Sequence, residues 1–363
     1  MKCARRSAKC AEPSGTASWK KGPRGPFLFK IAAIDHMGSR MRNIVVMAAA
    51  AAAFVSSAWA GPYPERPVTL VVPFAAGGDA DLAARNLAPV AQRLLGQPVV
   101  VTNKAGASGA IGSQAVRDAA PDGYTLLAAR VGSNAVLPAL KHDLGWKWDD
   151  FTFLGLLELN PFVCFVNADS PYRTFGDLTR AIKANPGKLN YSSSGAGTIL
   201  HLAPLMIFQS LGLGEEAAVH IAYKGGSEAA LAVISRNVDF SCGNLTSTLG
   251  LIRGGKVRAL VTTTPERVKD IPDVPTAREA GYPELEAIIG WTALYGPPRL
   301  PREVVARWAD ALASASKDPA WLAGEERIGS IPRVLPPEET RRYVGDQVQA
   351  YEKLGRQLHL ELK

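Results

Sequence analysis

The run Val68-Thr-Leu-Val-Val-Pro-Phe74, continuing through Ala75-Ala-Gly-Gly-Asp-Ala-Asp81 into 82–95, constrains this chain most. Val68 to Val72 is short, apolar and β-branched, as a strand covered on both faces requires. Pro73 has no N–H for a sheet ladder and so marks the strand end. Gly77 and Gly78 permit φ above zero and let a ligand approach the backbone. Asp79 or Asp81 is placed to cap the helix that follows, whose first turn carries unpaired N–H groups. In an open α/β sheet, ligands bind at such a strand end.

The same unit recurs along the chain. Pro98 to Asn103 reads as a second strand, Lys104 to Gly109 as a small-residue turn and Ala110 to Ala119 as a helix. Thr125 to Ala129 is a third strand, and 154–159 with 162–166 form a longer strand region. A helix starts near Thr174. Leu189 to Thr198 is then strand and turn, and Ile199 to Leu211 a helix. Ala218 to Tyr223, Lys224 to Ser227 and Glu228 to Arg236 repeat strand, turn and helix. Val238 to Cys242, Val257 to Thr263 and Trp291 to Tyr295 are further strands; Arg302 to Ser316 and Pro337 to Leu358 read as amphipathic helices. This alternation predicts a parallel sheet with helices on both faces. A length of 363 residues suits two domains. The expected division is one lobe from 61–163 plus 293–363 and a second from 164–292, joined by two chain crossings that act as a hinge.

The start of the chain reads as a leader. Residues 44–55 form an apolar run, preceded by Met41-Arg42-Asn43 and followed by Ala58-Trp59-Ala60. A positive start, a short apolar middle and a small-x-small end make a secretory signal peptide over 41–60. The run is too short for a transmembrane helix, which needs about 20 apolar residues. Residues 1–40 read as an unstructured upstream segment, with translation starting at Met41 or Met37.

That leader decides the meaning of the net charge of +8. Of 41 basic and 33 acidic residues, 10 and 2 fall in residues 1–60, leaving 31 of each. The high pI is therefore no sign of a nucleic-acid or anionic-membrane partner. Beyond residue 60 the cysteines are Cys164 and Cys242. In an exported protein they either pair or stay as buried thiols, and the sequence leaves both open. No Cys/His spacing suggests a metal site.

Enzymatic motifs are missing. The first turn lacks G-x-G-x-x-G, and Gly106, Gly109 and Gly112 follow the wrong strand for a dinucleotide site. There is no Walker A lysine, no HExxH and no G-x-S-x-G. Four turns instead share one chemistry: Phe74 to Asp81, Lys104 to Gly109, Ser192 to Thr198 and Tyr223 to Ser227. Each is small, rich in Gly or Ser, and opens a helix. Helix N-termini offer N–H donors and partial positive charge to a carboxylate or phosphate. Ser192, Ser193, Ser194 and Thr198 add hydroxyl donors. Two pairs of such turns on facing lobes would grip a small anion at both ends.

In order, these segments resemble the Bug/TctC family of periplasmic solute-binding proteins, receptors of tripartite tricarboxylate transporters. The resemblance covers nearly all of residues 62–358. Its landmarks are Tyr63-Pro-Glu-Arg-Pro67, Val72-Pro-Phe-Ala-Ala-Gly-Gly-Asp-Ala-Asp81, Val101 to Gly112, Pro121-Asp-Gly-Tyr-Thr-Leu126, Tyr191 to Thr198 with His201-Leu202, and His220-Ile-Ala-Tyr-Lys-Gly225. Gly255-Lys-Val-Arg-Ala-Leu260 and Pro272-Asp-Val-Pro-Thr276 complete it.

The resemblance implies a type II periplasmic binding protein fold: two α/β lobes, a hinge and an interlobe cleft that closes on a small carboxylate. It implies no enzymatic activity, no cofactor and no metal. It also implies a monomer that delivers its ligand to the membrane subunits of a tripartite tricarboxylate transporter. Carried over residue by residue, the ligand site comprises Phe74, Ala75, Ala76, Gly77, Gly78, Asp81, Ser108 and Gly109 of the first lobe. Ser194, Gly195, Thr198, His201, Tyr223, Lys224 and Gly225 come from the second. Asp81 serves there as helix cap or ligand contact. Three positions depart from the family pattern: Leu205 stands where Glu is usual, Glu228 where Pro is usual, and Asp79 adds an acid beside Asp81. The alternative readings are an exported α/β hydrolase-like enzyme, tested through Ser194 and His201, and a ligand-sensing partner of a membrane sensor kinase.

Overall fold

The structure, a computed structural model, describes residues 63–358 and 360, with residue 142 excepted. The leader expected at 41–60 and the segment before it lie outside the described residues. The first lobe opens with β1 (Val68–Val72), α1 (Asp79–Leu95), β2 (Val99–Asn103), α2 (Ala110–Arg117) and β3 (Thr125–Arg130). After β3 come a wide turn at Gly132–Val136 and α3 (Leu137–Leu140), then β4 (Thr152–Asn160). The second lobe holds β5 (Phe162–Asn167), α4 (Phe175–Ala184), β6 (Asn190–Ser193), α5 (Ile199–Ser210) and β7 (Val219–Ala222). It continues with α6 (Gly226–Ile234), β8 (Phe240–Asn244), α7 (Leu245–Arg253) and β9 (Val257–Thr262). The chain then returns to the first lobe as β10 (Gly290–Gly296), α8 (Arg302–Ala315), α9 (Pro319–Ile328), β11 (Ile331–Leu335) and α10 (Pro337–Gln357).

Two sheets result, ordered β11-β4-β10-β3-β1-β2 and β7-β6-β8-β5-β9. They are mixed, which corrects the expectation of parallel sheets. β1 runs parallel to β2 and β3, but β10 runs antiparallel to β3 and β4. In the second sheet β6 runs parallel to β7 and β8, while β5 is antiparallel to β8 and β9. β5, β10 and β11 run against the other strands of their sheets, and β5 and β10 each directly follow a crossing between sheets. The longer strand region expected from 154–159 with 162–166 is two strands in different sheets. Pro161 separates them, because it cannot donate to either ladder.

β1 shows why this sheet forms. Val68, Leu70 and Val72 pack with Ala80, Ala84 and Leu87 of α1 and with Trp308 and Trp321. Val71 points to the opposite face, among Leu127, Ala129 and Tyr295 and the buried face of α10 at Val344 and Val348. The alternation of side chains along a strand thus serves two hydrophobic layers, so both faces must be apolar. Helix α1 ends at Gly96, whose left-handed φ of 79° lets its N–H close on Gln92. In the second lobe, every residue of α5 from Ile199 to Phe208 is buried, so that helix is apolar all round. Helix α4 begins with a reciprocal capping box between Thr174 and Asp177.

Candidate functional site

The parallel order of β2, β1 and β3 brings their carboxyl ends, and hence the turns after β1 and β2, to one edge of the first sheet. The carboxyl ends of β6, β7 and β8 do the same in the second. The two edges face each other, and the four turns meet in pairs. Ala75 N donates to Lys224 O at 3.3 Å, and Ser227 Oγ to Ala76 O at 3.2 Å. Ser108 Oγ donates to Ala196 O at 2.6 Å. The backbones approach closely there: a Cβ at Gly225 would lie 3.1 Å from Ala75 Cβ, and one at Gly195 only 2.5 Å from Ser108 Oγ. Gly195 also has φ of 127°, which favours glycine.

Between the paired turns lies a cavity of about 20 Å³, room for roughly one water molecule. Its wall includes Phe74, Asp79, Arg130, Ser194, Thr198 and Asn244. A small organic molecule enters only if the lobes part. A wider groove of about 570 Å³ lies elsewhere, between the 264–270 loop and the start of β11, and none of the four turns lines it.

The residues singled out in the sequence fall into three groups. Phe74, Ser194 and Thr198 line the cavity. Ala75, Ala76, Ser108, Gly195, Lys224 and Gly225 lie at or beside the interlobe contacts, with Gly109 packed on Phe74 and Ser133. Tyr223 precedes this seam, its N–H bonded to Ser193 O at 2.9 Å.

Asp81 and His201 stand behind the turns. Asp81 Oδ2 accepts from Gly77 N and from Arg85 Nε, each at 2.9 Å, and its Oδ1 from Asn103 Nδ2 at 3.0 Å. Burial pushes its pKa up, but the bonds from Arg85, Gly77 and Asn103 outweigh it and hold the carboxyl below its usual range. Its visible role is to fix the turn at Gly77 and Gly78; the N-cap itself is Gly78. His201 Nδ1 accepts from Gly197 N at 3.2 Å, shaping the second-lobe turn from beneath. Ser194 Oγ bonds to Thr198 Oγ1 at 3.2 Å rather than to a histidine. The Ser193 Oγ–His220 Nε2 contact at 2.6 Å involves a serine with no exposure.

Three polar residues of the site did not stand out in the sequence: Arg130, Asn244 and Glu158. Each sits at or near a strand's carboxyl end, where a buried charge or amide needs partners. Arg130 Nη2 bonds to Asp79 Oδ2, and Nη1 to Asn160 Oδ1 at 2.7 Å and to Thr292 Oγ1. Glu158 Oε1 lies 3.5 Å from the same guanidinium. Asn244 Nδ2 crosses the gap to Asp79 Oδ2 at 2.9 Å. Asn160, beside the crossing at Pro161, donates to Thr246 Oγ1 at 2.9 Å and to Ser330 Oγ at 3.1 Å. The hinge and the cavity floor are therefore one hydrogen-bonded network. The signal available in sequence was a lone polar residue ending an apolar strand.

Cys164 and Cys242, left open above, are joined as a disulfide between facing residues of β5 and β8.

Two hinged α/β lobes closing over helix-opening turns define a type II periplasmic binding protein. Residues 83–360 match the tripartite tricarboxylate transporter family receptor, TctC. The chain belongs to that family, whose members are solute-binding receptors of the periplasm and not enzymes. It is 35% identical over 313 residues to a UPF0065 protein of Bordetella pertussis, covering 85% of this chain and 94% of that one. Among solved structures, the periplasmic binding protein BugD is 34% identical with a TM-score of 0.78, covering 83% of this chain and 100% of BugD. MatC from Rhodopseudomonas palustris, solved with bound malate, is 29% identical with a TM-score of 0.75, covering 80% and 99%.

Proposed function

We propose that this chain is an exported receptor that captures a small organic acid between its lobes and hands it, as a monomer, to the membrane subunits of a tripartite tricarboxylate transporter. Residues 41–60 would direct its export. The observation that carries this reading is the meeting of four amide-bearing turns, two from each lobe, at one interlobe seam: three of them line the cavity, and the fourth closes on the facing lobe through Ser108. Phe74 to Gly78, with Ser108 and Gly109, would hold the acid from the first lobe. Ser194, Gly195 and Thr198, with Tyr223 to Gly225, would close from the second, while Asp81 and His201 keep their turns in shape. The malate in the similar protein MatC supports an acid as the ligand class.

Such a receptor needs no bond-making chemistry, only a higher affinity for ligand in the closed form than in the open one. Ligand binding then stabilises the fold by mass action, by about 2.7 kcal/mol at a hundredfold excess over Kd. A thermal-shift screen of small mono-, di- and tricarboxylates tests the reading. At least one should raise the melting temperature in a concentration-dependent way. A flat response across the panel, with no heat of binding, sinks the proposal.

A further inference from the structure

Asp79 is the first residue of α1, and its carboxylate is turned into the cleft rather than out to solvent. Its Oδ2 accepts from Arg130 on its own lobe and from Asn244 on the other. Its Oδ1 looks toward Gly226 of the facing lobe, where a Cβ would sit 3.3 Å away. Arg130 is the only cationic side chain on the cavity wall among the described residues, and it is 2% exposed.

That cation is already committed. Nη2 is held by Asp79, while Nη1 is shared among Asn160, Thr292 and, at 3.5 Å, Glu158. One guanidinium thus faces two carboxylates. Behind Glu158, burial and then the Glu158 charge push the pKa of Glu325 far up. Glu325 therefore holds its proton at neutral pH and adds no second charge beside Glu158. A ligand carboxylate arriving at this end finds no free cation and meets the Asp79 anion in a site shielded from water, where like charges repel strongly. An ammonium or N–H donor finds an acceptor there instead. The ligand's own acid group is left to the amides of the turns.

We infer that Asp79 is the specificity-determining residue of the cleft, receiving a nitrogen-borne donor of the ligand, so that the receptor prefers acids carrying a cationic amine over dianionic diacids. This rests on the carboxylate-receptor reading above and narrows it.

The test is calorimetric titration of the purified protein at low ionic strength with three matched pairs: adipate and ε-aminocaproate, succinate and γ-aminobutyrate, malate and aspartate. In any pair that binds, the amino member should bind at least about tenfold more tightly. Asp79→Asn should erase that preference by weakening the amino acid and strengthening the diacid. Asn244→Ala removes the interlobe bond but keeps the charge, so it should weaken both members by a similar factor and keep their ratio. The wild-type ratio stands alone should either variant fail to fold. A diacid that binds wild-type protein as tightly as its amino partner overturns the inference and leaves the carboxylate reading intact. Failure of all six probes to bind overturns the inference, whereas the carboxylate reading falls only with the wider thermal-shift panel.

Discussion

His201 stacks on His220, with ring centroids 4.3 Å apart and planes 29° apart, directly beneath the turn that carries Ser194 to Thr198. Burial, and then the neighbouring His220, push the pKa of His201 down to about 3; burial also lowers that of His220. Both rings are therefore neutral in the folded protein at neutral pH, whereas in the unfolded chain they take up protons below about 6.5. The stability they confer is whole above that value and is lost as pH falls from there toward the folded values. Unfolding free energy should drop by about 2 kcal/mol or more between pH ~6.5 and ~4.5 from His201 alone. His201→Gln should flatten that slope. Urea titrations across the range would show it; equal slopes for variant and wild type would rule out the histidine stack as the cause.

Arg130 binds Asp79 and Glu158 together, and its loss leaves the buried Glu158 and the partly buried Asp79 without a counter-charge. Breaking a buried pair by removing one partner costs about 3–5 kcal/mol. Arg130→Met should therefore destabilise the protein by that amount. Asp79→Asn, which keeps Arg130 beside Glu158, should cost clearly less. Equilibrium denaturation of the two variants reads the difference, and equal losses would contradict the charge argument.

The disulfide joins residues 78 apart in sequence across β5 and β8. Closing so long a loop restricts the unfolded chain, an effect of about 2–4 kcal/mol. Cys164→Ala/Cys242→Ala should lower the melting temperature, and reductant should lower that of the wild type but leave the variant unmoved. A wild-type melting curve insensitive to strong reductant under denaturing conditions would count against this bond.

Gly195 is held at a left-handed φ against Ser108 of the opposite lobe. Gly195→Val adds strain to the turn and a clash at the seam, so the closed form should be lost before the fold is. Small-angle scattering should show a more open particle, with circular dichroism unchanged. A variant as compact as the wild type would mean that this seam does not set the closure.

Much of this architecture is legible in the sequence, for a physical reason. The β1 run needs apolar residues on both faces, and the glycines after it need freedom that other residues lack. The helix start expected near Thr174 is where α4 begins. β11 and α9 escaped notice: β11 carries Pro332 and Arg333 and lies half-exposed at a sheet edge, so its pattern is weak. α7 was hidden because its buried residues include threonines at 246 and 248, which do not read as core. At the site, backbone-based residues were readable because Gly and Ser turns repeat. Arg130, Glu158 and Asn244 were not, because their partners lie on other strands or on the facing lobe and meet only in the fold. Asp81 and His201, which the family resemblance places at the ligand, bond to the turns from behind.

The central claim is that a small acid binds between the lobes and only there. Gly132 lies at the cavity, where a Cβ would be 3.4 Å from Thr198 Cβ, so Gly132→Leu should occupy the gap from the first lobe. Calorimetric titration of wild type and Gly132→Leu with the best carboxylate from the thermal screen is the most direct measurement. The account predicts saturable one-to-one binding to the wild type and none to the folded variant; undiminished binding to Gly132→Leu would contradict it.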